Sequence, residues 1–153
     1  MSPVPFIPPA LPRLKASPPS GEDWLYELKF DGCRVQLHKA GLSSVIYGRN
    51  GGDLTRRFPA IAAAVLGLPT KSCTIDGELI AAGRHGAPDF LALLHGRHVP
   101  TCFYCFDLLE LNGRDLREQP LIYRRARLEV VKRAKCNLIR FSEAFYPARA
   151  AVG

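Results

Sequence analysis

The pattern of hydrophobic and polar positions predicts a chain built mostly from short strands. Segments of five to ten residues, rich in apolar, β-branched or aromatic side chains, are separated by polar residues and glycines. This length and composition are typical of strands. The predicted strands are 24–30, 33–39, 43–47, 73–82, 101–109 and 137–145.

Helices are predicted between these strands. The segment 58–68 is rich in alanine, and 89–95 has Asp89 near its N-terminus. In 121–134, Leu121, Leu128 and Val131 share one face of a helix. The order is mostly antiparallel strands with inserted helices, not an alternating β-α-β order. The predicted class is therefore α+β with mostly antiparallel sheets.

Turn signals divide the predicted elements. Asp31-Gly32 lies between the first two strands and predicts a tight two-residue hairpin. Asn112-Gly113 predicts another turn, and so do the glycines of 83–86. The proline-rich residues 1–20 predict an extended leader or a surface strap, so ordered structure is expected to begin near Trp24.

Length and composition fit a single intracellular domain. The chain has 153 residues, of which 47% are hydrophobic, enough to bury a core. No run of about 18 apolar residues predicts a membrane helix, and the N-terminus lacks the pattern of a signal peptide. The scattered cysteines favour a reduced, cytoplasmic protein. Cys102-x-x-Cys105 falls in a predicted strand, where residues three apart point to opposite faces, so a zinc site is disfavoured.

The charge of the chain favours a polyanionic partner such as nucleic acid. The net charge is +7 and the pI is near 9.4. Arginine and lysine are concentrated in residues 114–135. The sequence leaves two interpretations of that segment open, a solvated helix face and a face that contacts phosphates.

The segment 27–34, ELKFDGCR, contains the strongest candidate for covalent chemistry. It places Lys29 on a predicted apolar strand, just before a turn. An amine attacks only when neutral, and burial or nearby cations such as Arg34 and Arg49 lower its pKa. A lysine in such a pocket could attack the α-phosphate of a nucleotide. The segment alone is equally compatible with a surface lysine in an ordinary hairpin.

Four segments together resemble the motifs of the covalent nucleotidyltransferases, which comprise DNA ligases, RNA ligases and mRNA capping enzymes. Lys29-x-Asp31-Gly32-x-Arg34 is similar to motif I of that superfamily. The segments similar to motifs Ia, III and IIIa follow in the same order, and they are Arg49-Asn50-Gly51, Asp76-Gly77-Glu78 and Phe106-Asp107-Leu108-Leu109. The residues RNG (49–51) and FDLL (106–109) resemble those of ATP-dependent DNA ligases more than those of capping enzymes. The segment 24–29 is similar to the bacterial ligase D type used in end joining.

The resemblance implies a fold and a nucleotide-binding role for several residues. The fold would be the ATP-grasp-like nucleotidyltransferase fold of DNA ligases, in part. Lys29 would form the phosphoramidate bond to AMP. Glu27 would accept a hydrogen bond from the adenine amino group, which suits an acceptor-only carboxylate. Phe106 would stack on adenine, an interaction worth roughly 1–3 kcal/mol. From the residues alone, Phe106 could equally be part of the core.

The remaining motif residues are assigned by the same resemblance. Arg34 and Glu78 would lie around the ribose and phosphates, with Glu78 also binding Mg²⁺. Arg49 would lie near the phosphates or the nicked strand. Asp31 and Gly32 are expected mainly to form the turn. A solvated strand face is the alternative for Glu78.

The resemblance covers about residues 5–145 and stops before the family's motifs IV and V. We therefore expect a proline-rich leader at 1–20, a partial ligase adenylation domain at 21–145 and an atypical tail at 146–153. The implied cofactors are ATP and Mg²⁺, and the implied partners are nicked or broken double-stranded DNA and other end-joining proteins. The implied location is the bacterial cytoplasm, at the nucleoid.

Two functions follow from these expectations. The first is an ATP-dependent DNA ligase that forms a lysyl-AMP intermediate during repair of DNA breaks. The second is a catalytically incomplete fragment that binds adenine nucleotide or DNA without turnover. The missing motifs IV and V, which supply further lysines, favour the second function for the isolated chain.

Overall fold

The computed structural model describes residues 5–81, 89–95, 99–134 and 136–146. The predicted turn at 83–86 lies outside these residues, and so does most of the predicted tail at 146–153. None of the helices in the described ranges has the length and apolar character needed to cross a membrane.

Strands and helices form close to most of the predicted positions. The strands are β1 (Tyr26–Glu27), β2 (Cys33–Ala40), β3 (Ser43–Gly48), β4 (Ser72–Ala81), β5 (Thr101–Leu111), β6 (Arg114–Asp115), β7 (Ile139–Phe141) and β8 (Ala144–Phe145). The helices are α1 (Pro59–Leu66), α2 (Phe90–Leu94), α3 (Leu121–Arg127) and α4 (Glu129–Lys132), with a short 3₁₀ turn at Thr55–Arg57. The predicted α+β class is confirmed.

The main sheet has the strand order β3-β2-β4-β5-β6, and all these neighbours are antiparallel. The strand β7 also pairs with β5, in parallel. Asn112-Gly113 forms the predicted turn between β5 and β6, with both residues at positive φ. One face of the sheet carries the apolar core, which includes Val35, Leu37 and Phe103, together with residues of α1 and the segment 128–131.

The predicted hairpin at Asp31-Gly32 is wrong. The predicted strand 24–30 is reduced to β1, which pairs with β8 and not with β2. The strand β2 instead forms a hairpin with β3 through a turn at Gly41, whose φ is +60°. Residues 28–32 therefore lie in an irregular segment between two different sheets.

The predicted helix 121–134 is divided into α3 and α4 at Leu128. Leu128 and Val131 are buried in the core, as the predicted apolar face requires. Leu121 is 40% exposed and does not share that burial. The β-branched pair at 130–131 has lower helix propensity than unbranched residues, which is consistent with short helices here.

The proline-rich N-terminus crosses the polar face of the main sheet. The backbone amide of Ile7 donates to the Oε1 atom of Gln36, and the Gln36 amide donates back to the carbonyl of Ile7. The ring of Phe6 lies 5.8 Å from that of Tyr47. We call residues 5–12 the N-terminal strap. It covers a row of buried polar side chains that includes Gln36 and His38.

The buried side chain of Lys39, on β2, caps the C-terminus of helix α1. Its ammonium group donates to the carbonyls of Leu66 and Leu68, both at 2.7 Å. Carbonyls at the C-terminus of a helix lack partners within the helix, and a cation there also interacts favourably with the helix dipole. Lys39 thus links β2 to α1 across the edge of the core.

We expect Lys39→Met to lower the free energy of unfolding by roughly 1–3 kcal/mol, since the buried carbonyl of Leu68 and the partly buried carbonyl of Leu66 lose a charged donor. Chemical denaturation measures this change. Lys71→Met, at an exposed lysine just before β4, is the matched control and should change stability little. Equal stability of the two variants would contradict this account of Lys39.

Candidate functional site

A cleft of about 860 Å³ opens at the end of the main sheet. Its walls come from the strap, β1, the irregular segment 28–32, the start of β2, Glu78 of β4, the middle of β5, and helix α3. It brings together the residues that the sequence assigned to nucleotide binding. Those on its lining are Glu27, Lys29, Arg34, Arg49, Glu78 and Phe106.

Lys29 lies on the irregular segment with its side chain exposed. The exposed fraction is 90%, and the ammonium group is 3.9 Å from the carboxylate of Asp31. The predicted strand at Lys29 is therefore wrong, and its side chain lies at the open surface of the cleft. The physical reason is that residues 28–32 have no strand partner in the described part of the chain, so Lys29 extends from an irregular segment.

Gly32 has a role that the turn prediction did not foresee. Its backbone amide donates to the Glu78 carboxylate at 3.1 Å. A Cβ atom at Gly32 would collide with the carbonyl oxygen of Leu79 on β4. Glycine is thus required for the close approach of two backbones, and this approach holds the segment that carries Lys29 against β4.

Glu78 is half-buried on β4 and faces the cleft. Burial raises the pKa of its carboxyl group above the ordinary value, while the Gly32 amide, Lys29 and Arg34 act in the opposite direction. Glu78 is therefore an oxygen donor held by a backbone hydrogen bond on one side and open to the cleft on the other. The alternative of a solvated strand face does not fit this placement.

Arg34 forms a two-pronged ion pair with the buried Asp76 on the neighbouring strand. The distances are 3.2 Å from Nε to Oδ1 and 2.8 Å from Nη2 to Oδ2. Its Nη1 atom donates to the carbonyl of Ala10 in the strap. Because no hairpin forms at Asp31-Gly32, the Arg34 side chain is held by β4 and the strap. Burial raises the pKa of Asp76, and the Arg34 guanidinium acts against this rise.

Phe106, on β5, lies beside the side chain of Arg34. The guanidinium carbon of Arg34 is 5.3 Å from the centre of the Phe106 ring, a cation–π arrangement. The ring is only partly buried and lines the cleft. It is therefore not simply a core residue, and its position allows stacking with a planar ligand.

Glu27 forms an ion pair that the sequence did not reveal. The Nη1 atom of Arg125 donates to the Oε1 atom of Glu27 and to the carbonyl of Phe106. Its Nη2 atom donates to the carbonyl of Ser142. Burial raises the pKa of Glu27, while Arg125 acts to lower it.

Further residues of the cleft escaped the sequence analysis. Asp107 accepts two hydrogen bonds from Arg124, at 2.7 and 2.8 Å. Ser142 is 1% exposed, lines the cleft, and its hydroxyl has no hydrogen-bond partner in the described part of the chain. The adjacent Arg124 and Arg125 were the sequence signal for these contacts. The sequence does not show that their partners are Asp107 and Glu27.

The basic segment 114–135 serves neither of its two predicted roles as a whole. Arg125 is 6% exposed and Arg124 is paired with Asp107. Arg117 pairs with Asp115 at the surface. Only part of the segment is thus available to an external anion.

Comparisons with known proteins agree with this geometry. Residues 13–146 match the family model described as an ATP dependent DNA ligase domain. The chain is 40% identical over 135 residues to the multifunctional non-homologous end joining protein LigD of Pseudomonas aeruginosa, which covers 85% of the chain and 16% of that protein. It is 35% identical over 127 residues to DNA ligase B of Mycobacterium tuberculosis, covering 75% of the chain and 25% of that protein.

Solved structures show the same similarity. The ligase domain of Mycobacterium tuberculosis LigD superposes with a TM-score of 0.69 and 28% identity, covering 79% of the chain and 39% of that domain. A mycobacterial DNA ligase D complexed with ATP and MES superposes with a TM-score of 0.66 and 27% identity, over 78% of the chain and 39% of that structure. The chain has the fold of the matching part of these domains and spans well under half of their length.

We expect Gly32→Ala to destabilise the chain by roughly 1–3 kcal/mol, the usual range for overpacking, because its new methyl group meets backbone that cannot move aside. Gly52→Ala is the control, since a Cβ at Gly52 meets nothing within 4 Å. Thermal or denaturant unfolding of both variants checks this. A Gly32→Ala chain as stable as the control would exclude the proposed close approach.

The raised pKa of Glu78 predicts a pH dependence. A carboxyl group whose pKa is raised by folding stabilises the fold below its unfolded pKa, and this contribution is lost as pH rises through its folded pKa. Glutamine at this position does not titrate. The stability of Glu78→Gln relative to the unsubstituted chain should therefore increase between about pH 4 and pH 7. Denaturant unfolding at several pH values measures the difference, and a pH-independent difference would refute the assignment.

Proposed function

The chain belongs to the ATP-dependent DNA ligase family, and on this basis we propose that its cleft binds ATP and that Lys29 accepts AMP from it. The observation that carries the proposal is the convergence on one cleft of side chains from separate strands and loops. They combine a lysine, a base-sized aromatic ring, carboxylates and arginines. Transfer of AMP to DNA and joining of the strands would follow as later steps of the same protein family's reaction.

The adenine ring would bind at the end of the cleft formed by Glu27 and Phe106. The carboxylate of Glu27 accepts hydrogen bonds and cannot donate while ionised, so it suits the amino group of adenine. Phe106 offers a ring face for stacking. A mycobacterial DNA ligase D that matches this chain is described as complexed with ATP, which supports ATP as the ligand.

The triphosphate would extend toward the cationic side chains of the cleft. These are Lys29, Arg34, Arg49 and Arg124 among the described lining residues. Two of them already have partners, since Arg34 holds Asp76 and Arg124 holds Asp107. Lys29 and the exposed Arg49 are the cations best placed to contact phosphate oxygens directly.

A Mg²⁺ ion fits the donor chemistry of this side of the cleft. Magnesium in nucleotide sites takes one or two carboxylates together with phosphate oxygens and water. Glu78 has one oxygen engaged by the Gly32 amide, so the other is available as a ligand. When bound, the ion would neutralise charge on the phosphates.

The proposed reaction is a nucleophilic displacement at the α-phosphorus. The neutral amine of Lys29 forms a bond from Nζ to phosphorus, and the bond to the β-phosphate oxygen breaks to release pyrophosphate. The amine proton is lost to solvent, to which Lys29 is open. AMP on the lysine would then pass to a DNA 5′-phosphate, and a 3′-hydroxyl would displace it to join the strands.

The exposure of Lys29 favours a second candidate function for the chain by itself, which is nucleotide binding without turnover. The Lys29 ammonium group lies 3.9 Å from the Asp31 carboxylate and faces solvent, away from the other cations of the cleft. Productive chemistry then requires the bound triphosphate to draw the ammonium group away from Asp31. One experiment separates the two functions.

Intact mass after incubation with ATP and Mg²⁺ tests the proposal. We expect a gain of about 329 Da, the mass of one AMP residue joined through nitrogen, because a neutral lysine is the attacking group. Lys29→Arg should abolish the gain, since arginine does not deprotonate. Lys71→Arg, at an exposed lysine outside the cleft, is the matched control and should retain it. A folded chain that binds ATP but gains no mass would establish the binding function instead.

A further inference from the structure

The buried Arg125 connects three segments that meet behind the cleft. One Nη atom donates to Glu27 on β1 and to the carbonyl of Phe106 on β5, and the other donates to the carbonyl of Ser142 before β8. Arg125 does not itself line the cleft, whereas Glu27, Phe106 and Ser142 do. Any influence of Arg125 on a ligand must therefore pass through these three residues.

The guanidinium group has little freedom to move. It is 6% exposed, and its carbon lies 4.9 Å from the centre of the Phe141 ring. A planar guanidinium donates its hydrogen bonds in fixed directions. With acceptors on three segments and an aromatic ring at its face, Arg125 defines where each acceptor lies relative to the others.

The carboxylate of Glu27 is oriented by this contact. Arg125 engages Oε1, which leaves Oε2 as the acceptor that a ligand in the cleft can use. Without Arg125, Oε1 loses its donor and the carboxylate is free to rotate, so that neither oxygen is held toward the cleft. A carboxylate that is not held in one orientation selects an amino group less well.

We infer that Arg125 is a positioning residue that sets nucleobase specificity, by fixing the Glu27 acceptor and the Phe106 stacking face relative to each other. This inference rests on the proposed function, since it assumes that the cleft binds adenine there. The nucleotide class that it selects is a purine with an exocyclic 6-amino group. A merely structural arginine would affect all nucleotides alike.

The test compares two ligands that differ only at the base. They are ATP and purine riboside triphosphate, in which hydrogen replaces the 6-amino group. Dissociation constants are measured by calorimetry without added divalent ion, so that no phosphoryl transfer intervenes. The unsubstituted chain should prefer ATP by on the order of tenfold, the usual value of one hydrogen bond to a charged group.

Arg125→Lys should reduce this preference to within about twofold, since a compact ammonium cannot hold three acceptors in the same arrangement. Its affinity for purine riboside triphosphate should stay within about threefold of the unsubstituted chain, because only the contact to the 6-amino group is lost. The control is Lys39→Met, a buried substitution remote from the cleft that also lowers stability. It should retain the preference for ATP, and circular dichroism verifies that each variant is folded.

A measurement on the unsubstituted chain covers the case in which Arg125→Lys does not fold. The side-chain nitrogen resonances of Arg125, assigned through bonds, should shift on addition of ATP and shift less with purine riboside triphosphate. Equal shifts with both ligands would overturn the inference.

The possible binding results separate the two proposals. Equal preference for ATP in the unsubstituted chain and in Arg125→Lys, or an equal loss of affinity for both ligands in that variant, would overturn the role of Arg125 alone. Failure of the folded, unsubstituted chain to bind either nucleotide would instead overturn the proposed function, and the role of Arg125 with it.

Discussion

The pairing register between β2 and β4 determines which side chains reach the cleft. Arg34 is opposite Glu78, and Val35 is opposite Gly77. Successive residues of a strand point to opposite faces, so this register places the charged pair on the cleft side and Val35 in the core. A slip of one residue would exchange the two faces and put apolar side chains where a nucleotide is proposed to bind. The packing of the core and the chemistry of the cleft therefore depend on the same set of backbone hydrogen bonds.

The fold could be predicted from the sequence where local signals and long-range pairing agree. The strands β2 to β5 and the turn at Asn112-Gly113 follow from apolar runs and turn residues close to them in sequence. Asp31-Gly32 has an equally good local signal, yet Tyr26 pairs with Phe145 near the other end of the described chain. Once β1 joins that distant strand, residues 28–32 must bridge two sheets, and a tight hairpin is geometrically excluded. Nothing within a short window of sequence contains this information.

The candidate site shows the same division between residue identity and residue environment. Motif resemblance selected side chains that do line one cleft, including Arg49 and Phe106. The apolar pattern around Lys29 wrongly predicted a strand there, because strand formation depends on which segments pair. Motif resemblance also missed Arg125, whose contact with Glu27 spans 98 positions of the chain. Within a basic segment every arginine has the same appearance in the sequence, and only the folded chain distinguishes the buried Arg125 from its exposed neighbours.

The strap illustrates how side chains complete a sheet face when backbone pairing is impossible. The strand β2 is paired with β3 on one side and β4 on the other, so the strap crosses its face and finds no free backbone there. The Gln36 side chain instead both donates to and accepts from the backbone of Ile7, and Arg34 adds a bond to Ala10. The same Arg34 holds Asp76. A polar row that would be costly to bury without partners is thereby satisfied, and the strap is held where its residues 11 and 12 form part of the cleft wall. The strap therefore has two roles: it supplies partners for the polar side chains of β2, and it forms one wall of the cleft.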